Sequence, residues 1–258
     1  MLEDYQKAFA SLRIDRNQRR YPAETNHAAP HKAFLLLSVI DLAAQGQIDS
    51  NFIEPSFELV DTWNGYWDAV MPAGRRGLMS YPFYHMRTEP FWQLMPNPGF
   101  EDRAGQTFSS MLKIRQVYAG AVVNQDLFAC MADPAGREML RAVLVQAYFA
   151  PEIQPVVQEM GFANLAAFAY AGDVMAEAKE SLESYAAAPP EGQKIRNQGF
   201  RKAIVTLYDH RCALCGIRMM TPGGHTVVEA AHIVPWNESF DDRPIFKPEE
   251  DQIGRAHV

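Results

Sequence analysis

The stretch that decides the fold runs from Cys212 to Trp236 and reads CALCGIRMMTPGGHTVVEAAHIVPW. It opens with the C-x-x-C spacing, which lets one tight turn direct two thiolates towards a single tetrahedral zinc ion. Gly223 and Gly224 predict a turn, and the β-branched residues after them predict a strand that ends near His232. The stretch therefore predicts a zinc-binding turn, a hairpin and a histidine delivered by the second strand.

These features resemble the first half of an HNH endonuclease, which has a ββα-metal site, and AAHIVPW resembles its first histidine motif. The resemblance implies that Cys212 and Cys215 hold a structural Zn²⁺. It implies that His232 is the general base, working beside a catalytic Mg²⁺ or Mn²⁺. Many such sites place an acid directly before the base, where this chain has Ala231. Glu229, two residues earlier, is therefore the candidate ligand for the catalytic ion.

A basic segment precedes the cysteines. It contains Lys194, Arg196, Arg201, Lys202, Arg211 and Arg218 against a single acid, Asp209. Asn197 predicts the N-cap of a helix whose Phe200, Ile204 and Leu207 face inward. We expect Arg196, Arg201 and Lys202 on this helix to contact DNA phosphates, because HNH proteins similar to this one have such a helix before the zinc turn. His210 and His225 flank the turn, either as zinc ligands or as polar loop residues.

The sequence after Trp236 lacks the expected end of the motif. Asn237 is present, but no L-C-x-x-H-H segment follows. The last residues, QIGRAHV, resemble the translation of a common sequencing-library adapter. We therefore expect residues 252–258 to be a non-native tail, with His257 outside the motif. We also expect this chain to be a truncated, inactive copy of a nuclease, so a non-cleaving DNA-binding protein is the alternative.

The first half of the chain carries two further motifs. The segment 29–46 predicts a buried helix that begins at Pro30 with His31 and Lys32 in its first turn, where unpaired backbone N–H groups favour an anion. The segment 71–99 predicts an irregular region in which aromatic and basic residues alternate, as in nucleic-acid-binding surfaces. Its aromatic residues divide into two groups. We assign to the core Phe83, Phe91 and Trp92, and to the surface Tyr81, Pro82 and His85.

The pair PHKAFLLL and YPFYHM resembles the sulfur-binding domain of phosphorothioate-dependent restriction endonucleases, which precedes an HNH domain as it does here. The resemblance implies that His31 and Lys32 contact the modified DNA backbone. It also implies that Tyr81 and Pro82 line an apolar pocket for sulfur, with His85 at its rim. A general HNH nuclease without sulfur specificity is the alternative.

Together these patterns predict an α+β protein. We expect a mixed DNA-recognition domain at 1–150, a helical connector and linker at 151–193, and the N-terminal part of a ββα-metal domain at 194–251. The net charge of −7 confines DNA binding to local basic patches. One such patch is Arg13, Arg16 and Arg20, which share a face at helical spacing. The partner is double-stranded DNA, and homodimerisation is left open. We expect a cytoplasmic protein, because three cysteines do not form a disulfide framework and no apolar run spans a membrane.

Overall fold

The computed structural model describes residues 1–101, 108–180, 192–213 and 215–232, without the side chains at 177–180 and 194. Within this range the chain forms two compact units. The first unit comprises residues 1–162 with 222–225, and the second comprises the described residues of 163–221 and from 226 onward. Helices and one small sheet make up the first unit, whereas the described residues of the second form helices and one isolated bridge. This mixture agrees with the α+β class. The predicted domain boundaries stay predictions.

Helices account for most of the first unit. They are α1 (Leu2–Ala10), α2 (His31–Ala44), α3 (Phe57–Val70), α4 (Ser80–His85), α5 (Met111–Val117), α6 (Gln125–Ala132) and α7 (Pro134–Tyr148). Side-chain caps explain where α3, α5 and α7 begin, and Ser110 is the cap of α5. Ser56 accepts a hydrogen bond from the backbone of Leu59 at α3, and Asp133 accepts one from Gly136 at α7.

The described strands form one antiparallel sheet in the order β1-β3-β2, with β1 at Phe52–Ile53, β2 at Trp92–Pro96 and β3 at Tyr118–Val123. Gly120 allows β1 to approach β3. A Cβ at that position would lie 2.6 Å from the carbonyl oxygen of Ile53. Trp92 pairs with Val123 at the start of β2, so the sheet fixes where the segment before β2 enters the fold.

The core of the first unit surrounds α2, whose Phe34, Leu35 and Leu37 are fully buried. A charged pair is buried with them. Arg141 of α7 donates to Asp41 of α2 at 2.6 Å, and Tyr66 of α3 donates to the same carboxylate at 2.8 Å. Because a buried carboxylate without partners is costly, this network fixes α2, α3 and α7 in one arrangement.

Several predicted elements of the first unit are confirmed. The helix predicted at 29–46 is α2, and Gly46 follows it with a φ of +70°. Phe83, Phe91 and Trp92 lie in the core as predicted. The segment 71–99 is less irregular than predicted, because it contains α4 and β2.

The arginine-rich helix predicted between Arg13 and Arg20 is wrong. The helix α1 ends at Ala10, and residues 12–17 have no regular structure. Ser11 ends α1, because its hydroxyl donates to the carbonyl of Lys7 and its backbone N–H donates to that of Ala8.

The helix α8 (Gln154–Glu180) belongs to the second unit from residue 163 onward, and α9 (Gln193–Leu207) follows it. Gly199 brings the two helices together, because a Cβ there would lie 2.8 Å from the carbonyl oxygen of Ala167. The helix α9 begins at Gln193, so Asn197 is not its N-cap; its side chain accepts a hydrogen bond from Arg196. Leu207 also differs from prediction, being 36% exposed at the last turn of the helix.

No helix among the described residues is long and apolar enough to cross a membrane. Four sequence predictions fall outside the described residues. They concern the low-complexity linker AAAPPEG at 186–192, of which only Gly192 is described, Asn237, His257 and the tail at 252–258.

Candidate functional site

A cavity of about 600 Å³ in the first unit brings together all five residues that the resemblance assigned to DNA recognition. These residues are His31, Lys32, Tyr81, Pro82 and His85. Arginines complete its wall, namely Arg13, Arg20, Arg75 and Arg76. We call it the arginine-lined cavity. The clustering follows from the fold, because α2 and α4 pack together and place their first residues side by side.

His31 forms part of an aromatic wall of the arginine-lined cavity. Its ring centroid lies 4.9 Å from that of Trp67 and 6.0 Å from that of Tyr21. Its backbone carbonyl accepts a hydrogen bond from Trp63, which fixes the start of α2. Burial, together with the nearby Arg75, lowers the pKa of His31 to about 4. The imidazole is therefore neutral at pH 7 and donates or accepts hydrogen bonds without adding charge.

Lys32 lies at the buried end of the cavity with its charge already balanced. Its ammonium group donates to Glu89 at 2.5 Å and to Thr88 at 2.9 Å. The two charged side chains are only 7% and 6% exposed. Burial lowers the pKa of Lys32, and the carboxylate of Glu89 opposes that shift. The same carboxylate accepts the backbone N–H of Arg13, so this ion pair also holds the N-terminal loop against α2.

The remaining predicted residues of the cavity differ in exposure. Pro82 is buried, whereas Tyr81 is 41% exposed. His85 is exposed beside Arg87, and its pKa is lowered by partial desolvation and by the charges of Arg87 and Lys32. A ring face, a proline and neutral imidazoles surrounded by arginines suit an anion that carries an apolar or polarisable atom.

Sequence reasoning missed Tyr21, Trp67 and Glu89. Tyr21 and Trp67 supply aromatic surface next to His31, and Arg75 lies over the Tyr21 ring at 5.6 Å. Neither Tyr21 nor Trp67 belongs to a recognisable motif. Arg75, by contrast, lies in the segment 71–99, whose alternating basic and aromatic residues predicted a nucleic-acid-binding surface.

The second candidate site is the turn at Cys212 and Cys215. The backbone N–H of Gly216 donates to Cys212 at 2.8 Å, and that of Cys212 donates to Ile217 at 3.0 Å. Gly216 has a φ of +69°, which a glycine adopts without strain. These bonds close a tight turn that carries both thiols, and two thiolates on such a turn fit half of a tetrahedral zinc site. Among the described residues no group of three or more His, Cys, Asp and Glu side chains forms a metal site.

Only a short part of the predicted hairpin after this turn is present. The turn at Gly223 and Gly224 is confirmed, and Met220 and Thr226 form an isolated antiparallel bridge. The strand predicted to end near His232 is wrong, because residues 227–232 have no strand structure. In the described residues one bridge and one additional backbone bond replace a regular ladder, so β-branched composition alone did not produce a strand.

His232 nevertheless lies against the basic helix α9. Its ring stacks on Phe200, with centroids 3.9 Å apart and an interplanar angle of 10°. Arg201, the next residue of α9, forms an ion pair with Glu229 at 3.7 Å. Lys202 lies over the ring of Phe168 at 5.0 Å. The imidazole is therefore half-buried at a cationic surface and is not enclosed in an apolar interior.

Glu229, the predicted ligand of the catalytic ion, is 73% exposed, and its carboxylate forms an ion pair with Arg201. His210 is buried, and its carbonyl lies 3.4 Å from the hydroxyl of Thr226. These positions leave the metal-binding roles of both residues as predictions.

Comparison with known proteins gives one family. Residues 212–255 match the family model of the HNH endonuclease. The chain thus contains an HNH endonuclease domain over these residues, which indicates a nuclease that acts on DNA; HNH nucleases generally use a divalent metal. The match does not extend to residues 1–211. Comparison with curated proteins found no match.

Proposed function

We propose that this protein is a modification-dependent DNA endonuclease. Its HNH domain cuts the DNA strand, and its arginine-lined cavity recognises a modified DNA backbone. The observation that carries the nuclease part is the HNH match, together with the packing of His232 against the basic helix α9. The observation that supports recognition is the clustering of His31, Tyr81 and Pro82 in one cavity.

In this proposal His232 is the general base. Its neutral imidazole takes a proton from water while the water oxygen bonds to phosphorus and the bond to the leaving sugar oxygen breaks. Phe200 holds the ring in one plane, which fixes the direction of the accepting nitrogen. A bound Mg²⁺ or Mn²⁺ supplies electrostatic stabilisation of the charge that develops on the phosphate. Glu229 is the proposed residue to hold that ion, and Cys212 and Cys215 the residues to hold Zn²⁺.

The proposed DNA contacts of the nuclease domain come from α9. Arg196, Arg201 and Lys202 lie on this helix and are partly exposed. Cationic side chains on a helix next to the general base His232 position the scissile phosphate, but they do not distinguish one DNA sequence from another. Their contribution is electrostatic, so it falls as salt concentration rises.

The proposed recognition of the modified backbone is a phosphorothioate contact. A sulfur atom in place of a phosphate oxygen is larger, more polarisable and a poorer hydrogen-bond acceptor. The Tyr81 ring and Pro82 favour it by dispersion, while arginines balance the remaining negative charge. A phosphate oxygen in the same place would lose hydrogen bonds to water, at a cost of about 1–3 kcal/mol. That difference suffices for selective binding.

Cleavage tests the nuclease part. With Mg²⁺ or Mn²⁺ present, the chain is incubated with modified duplex DNA. We expect His232→Ala to lower the cleavage rate by about 10²–10⁴-fold with duplex affinity unchanged. His27→Ala, an exposed histidine of the first unit, is the matched control. Tight binding without cleavage would identify a DNA-binding protein instead.

Competition tests the recognition part. Phosphorothioate and unmodified duplexes of the same sequence compete for the protein, and we expect the modified one to bind more tightly. Tyr81→Ala should remove this preference while leaving the weaker binding in place. Equal affinities of the unaltered protein for the two duplexes would contradict the proposed preference for phosphorothioate. The protein would then be a general HNH nuclease.

A further inference from the structure

The cations of the arginine-lined cavity divide into those that a carboxylate already opposes and those that none opposes. Arg20 forms an ion pair with Asp15 at 3.2 Å, and Lys32 forms one with Glu89 at 2.5 Å. Among the residues that the structure describes, no carboxylate forms an ion pair with the other three cations of the wall, which are Arg13, Arg75 and Arg76. Five cations and two carboxylates thus leave three positive charges.

The two histidines of the cavity do not add to this charge at pH 7. Burial lowers the pKa of His31 to about 4, and partial desolvation lowers the pKa of His85. Each phosphate of a DNA backbone carries one negative charge. Three unopposed cations therefore match a run of three phosphates better than the modified phosphate alone.

The loops that carry these arginines are fixed through their backbones. The backbone N–H of Arg13 donates to Glu89 at 3.1 Å, and the carbonyl of Arg75 accepts the indole N–H of Trp67 at 2.6 Å. Gly77 lies flat against the same indole, because a Cβ there would be 2.5 Å from the Trp67 ring. Binding therefore does not have to order these backbone segments, which lowers its entropic cost.

The guanidinium groups of the three arginines keep their charge. That of Arg75 lies 5.6 Å from the centre of the Tyr21 ring and donates to the carbonyl of Arg20, and both partners are uncharged. Arg13 and Arg76 are exposed, and within the described part of the chain their guanidinium groups have no hydrogen bond or ion pair. All three are thus available for charge-assisted hydrogen bonds to phosphate oxygens.

The cavity also has room for more than one phosphate. Its volume of about 600 Å³ corresponds to roughly 20 water molecules at about 30 Å³ each, and a single phosphate group fills only a small part of that space. Tyr81 and Pro82 line the same cavity as the arginines. The apolar contact for a modified atom and the unopposed charges therefore belong to one site.

We propose that the arginine-lined cavity binds three consecutive backbone phosphates of one DNA strand, the modified one among them, and that Arg13, Arg75 and Arg76 each pair with one. This proposal rests on the proposed function, in which the first unit binds DNA. It makes the recognised unit a stretch of backbone and not a single linkage. Phosphate contacts of this kind fix the position of the strand without reading its bases.

Uncharged methylphosphonates test the number of phosphates. In a duplex with one phosphorothioate, each neighbouring phosphate of the same strand is replaced in turn by a methylphosphonate, and binding of the full chain is measured. We expect replacement at two positions, consecutive with the modified one, to weaken binding about tenfold each, because each removes a charge-assisted pair. The helix α9 also contacts phosphates in the proposed function, so arginine variants must show which positions belong to the cavity.

The variants Arg13→Ala, Arg75→Ala and Arg76→Ala assign these phosphates. Each should reduce the slope of log affinity against log salt by about 0.9, and the triple variant by about 2.7. A methylphosphonate should cause no further loss in the variant that lacks its arginine, so two of the three arginines should couple to the two replaced phosphates. Thermal unfolding of each variant checks that it folds.

Two controls come from the same loop as Arg13. Arg19→Ala removes an exposed arginine that does not line the cavity, and it should couple to neither methylphosphonate. The double variant Asp15→Ala with Arg20→Ala removes an opposed pair, and it should leave the salt slope unchanged.

The outcomes separate the number of phosphates from the sulfur preference. A triple-variant change of slope near 0.9, or methylphosphonates that couple to none of the three arginines, would overturn the three-phosphate site. Coupling at two neighbouring phosphates together with equal affinity for phosphorothioate and unmodified duplexes would overturn the proposed sulfur preference and leave the site. A preference for phosphorothioate without that coupling would overturn the site alone.

Discussion

The arginine-lined cavity and the cysteine turn differ in what holds their side chains in place. The cavity is built on buried helices, and its most buried cation, Lys32, has Glu89 as a fixed partner. The cysteine turn is built from a few backbone bonds, and Cys215 is exposed. A small described cluster of apolar residues supports the second unit, namely Tyr170, Ala171, Val174 and Ala203.

This difference indicates how each site acquires its shape. Burial of a large apolar surface organises the cavity before any ligand arrives. The cysteine turn has little buried surface of its own, so the proposed Zn²⁺ would provide much of its folding free energy. Recognition and cleavage therefore depend on different physical terms, which four experiments separate.

Zinc removal should have the largest effect. Binding of structural zinc contributes on the order of 10 kcal/mol to small metal-dependent folds. We expect Cys215→Ser to abolish zinc binding and to raise hydrogen exchange over residues 212–232, while α2 keeps its protection. Cys130→Ala, which alters a buried thiol of α6, is the control. Unchanged exchange at 212–232 in Cys215→Ser would contradict a metal-dependent turn.

Loss of the carboxylate of Glu89 should have the next largest effect, and it should act on the first unit alone. Glu89→Ala leaves the buried ammonium of Lys32 without its partner, which costs about 3–5 kcal/mol. Thermal unfolding measures this loss. The double variant Glu89→Ala with Lys32→Met should recover a large part of it, because no buried charge remains. A double variant no more stable than Glu89→Ala would show that the pair acts by packing instead.

Acid should weaken the first unit through His31. Its pKa is 6.5 when unfolded and about 4 when folded, so the unfolded state binds a proton first as pH falls. Stability from the neutral imidazole is complete above pH 6.5 and decreases towards pH 4, by up to about 3 kcal/mol. We expect denaturant unfolding of His31→Gln to change less over this interval than that of the unaltered chain. Parallel pH profiles would refute a buried neutral imidazole.

The smallest expected effect concerns salt. Arg75→Ala should reduce the slope of log affinity against log salt by about 0.9, as expected for one phosphate contact. Lys32→Met should change the slope less, because Glu89 already balances the charge of Lys32. Lys7→Ala, an exposed residue of α1, is the control. A larger change in Lys32→Met than in Arg75→Ala would reverse this ranking.

The sequence predicted those parts of the fold that local chemistry determines. The helix α2 followed from the apolar run after Pro30 and from Gly46 behind it. The partnership of Lys32 with Glu89 was not predictable, because it joins residues that only the packing of α2 and the turn before β2 brings together. The same holds for Tyr21 and Trp67, which reach the cavity from separate segments. Strand propensity failed after Gly224, where no long ladder forms among the described residues.

The double anchoring of α2 has a consequence for engineering. Lys32 near its start and Asp41 near its end both form buried ion pairs, so the helix resists displacement by substitutions around it. The four cavity arginines instead come from segments 12–20 and 71–79, which lack helix and strand. A library limited to these two loops could therefore retarget the cavity to other anionic groups, with the helical scaffold unchanged.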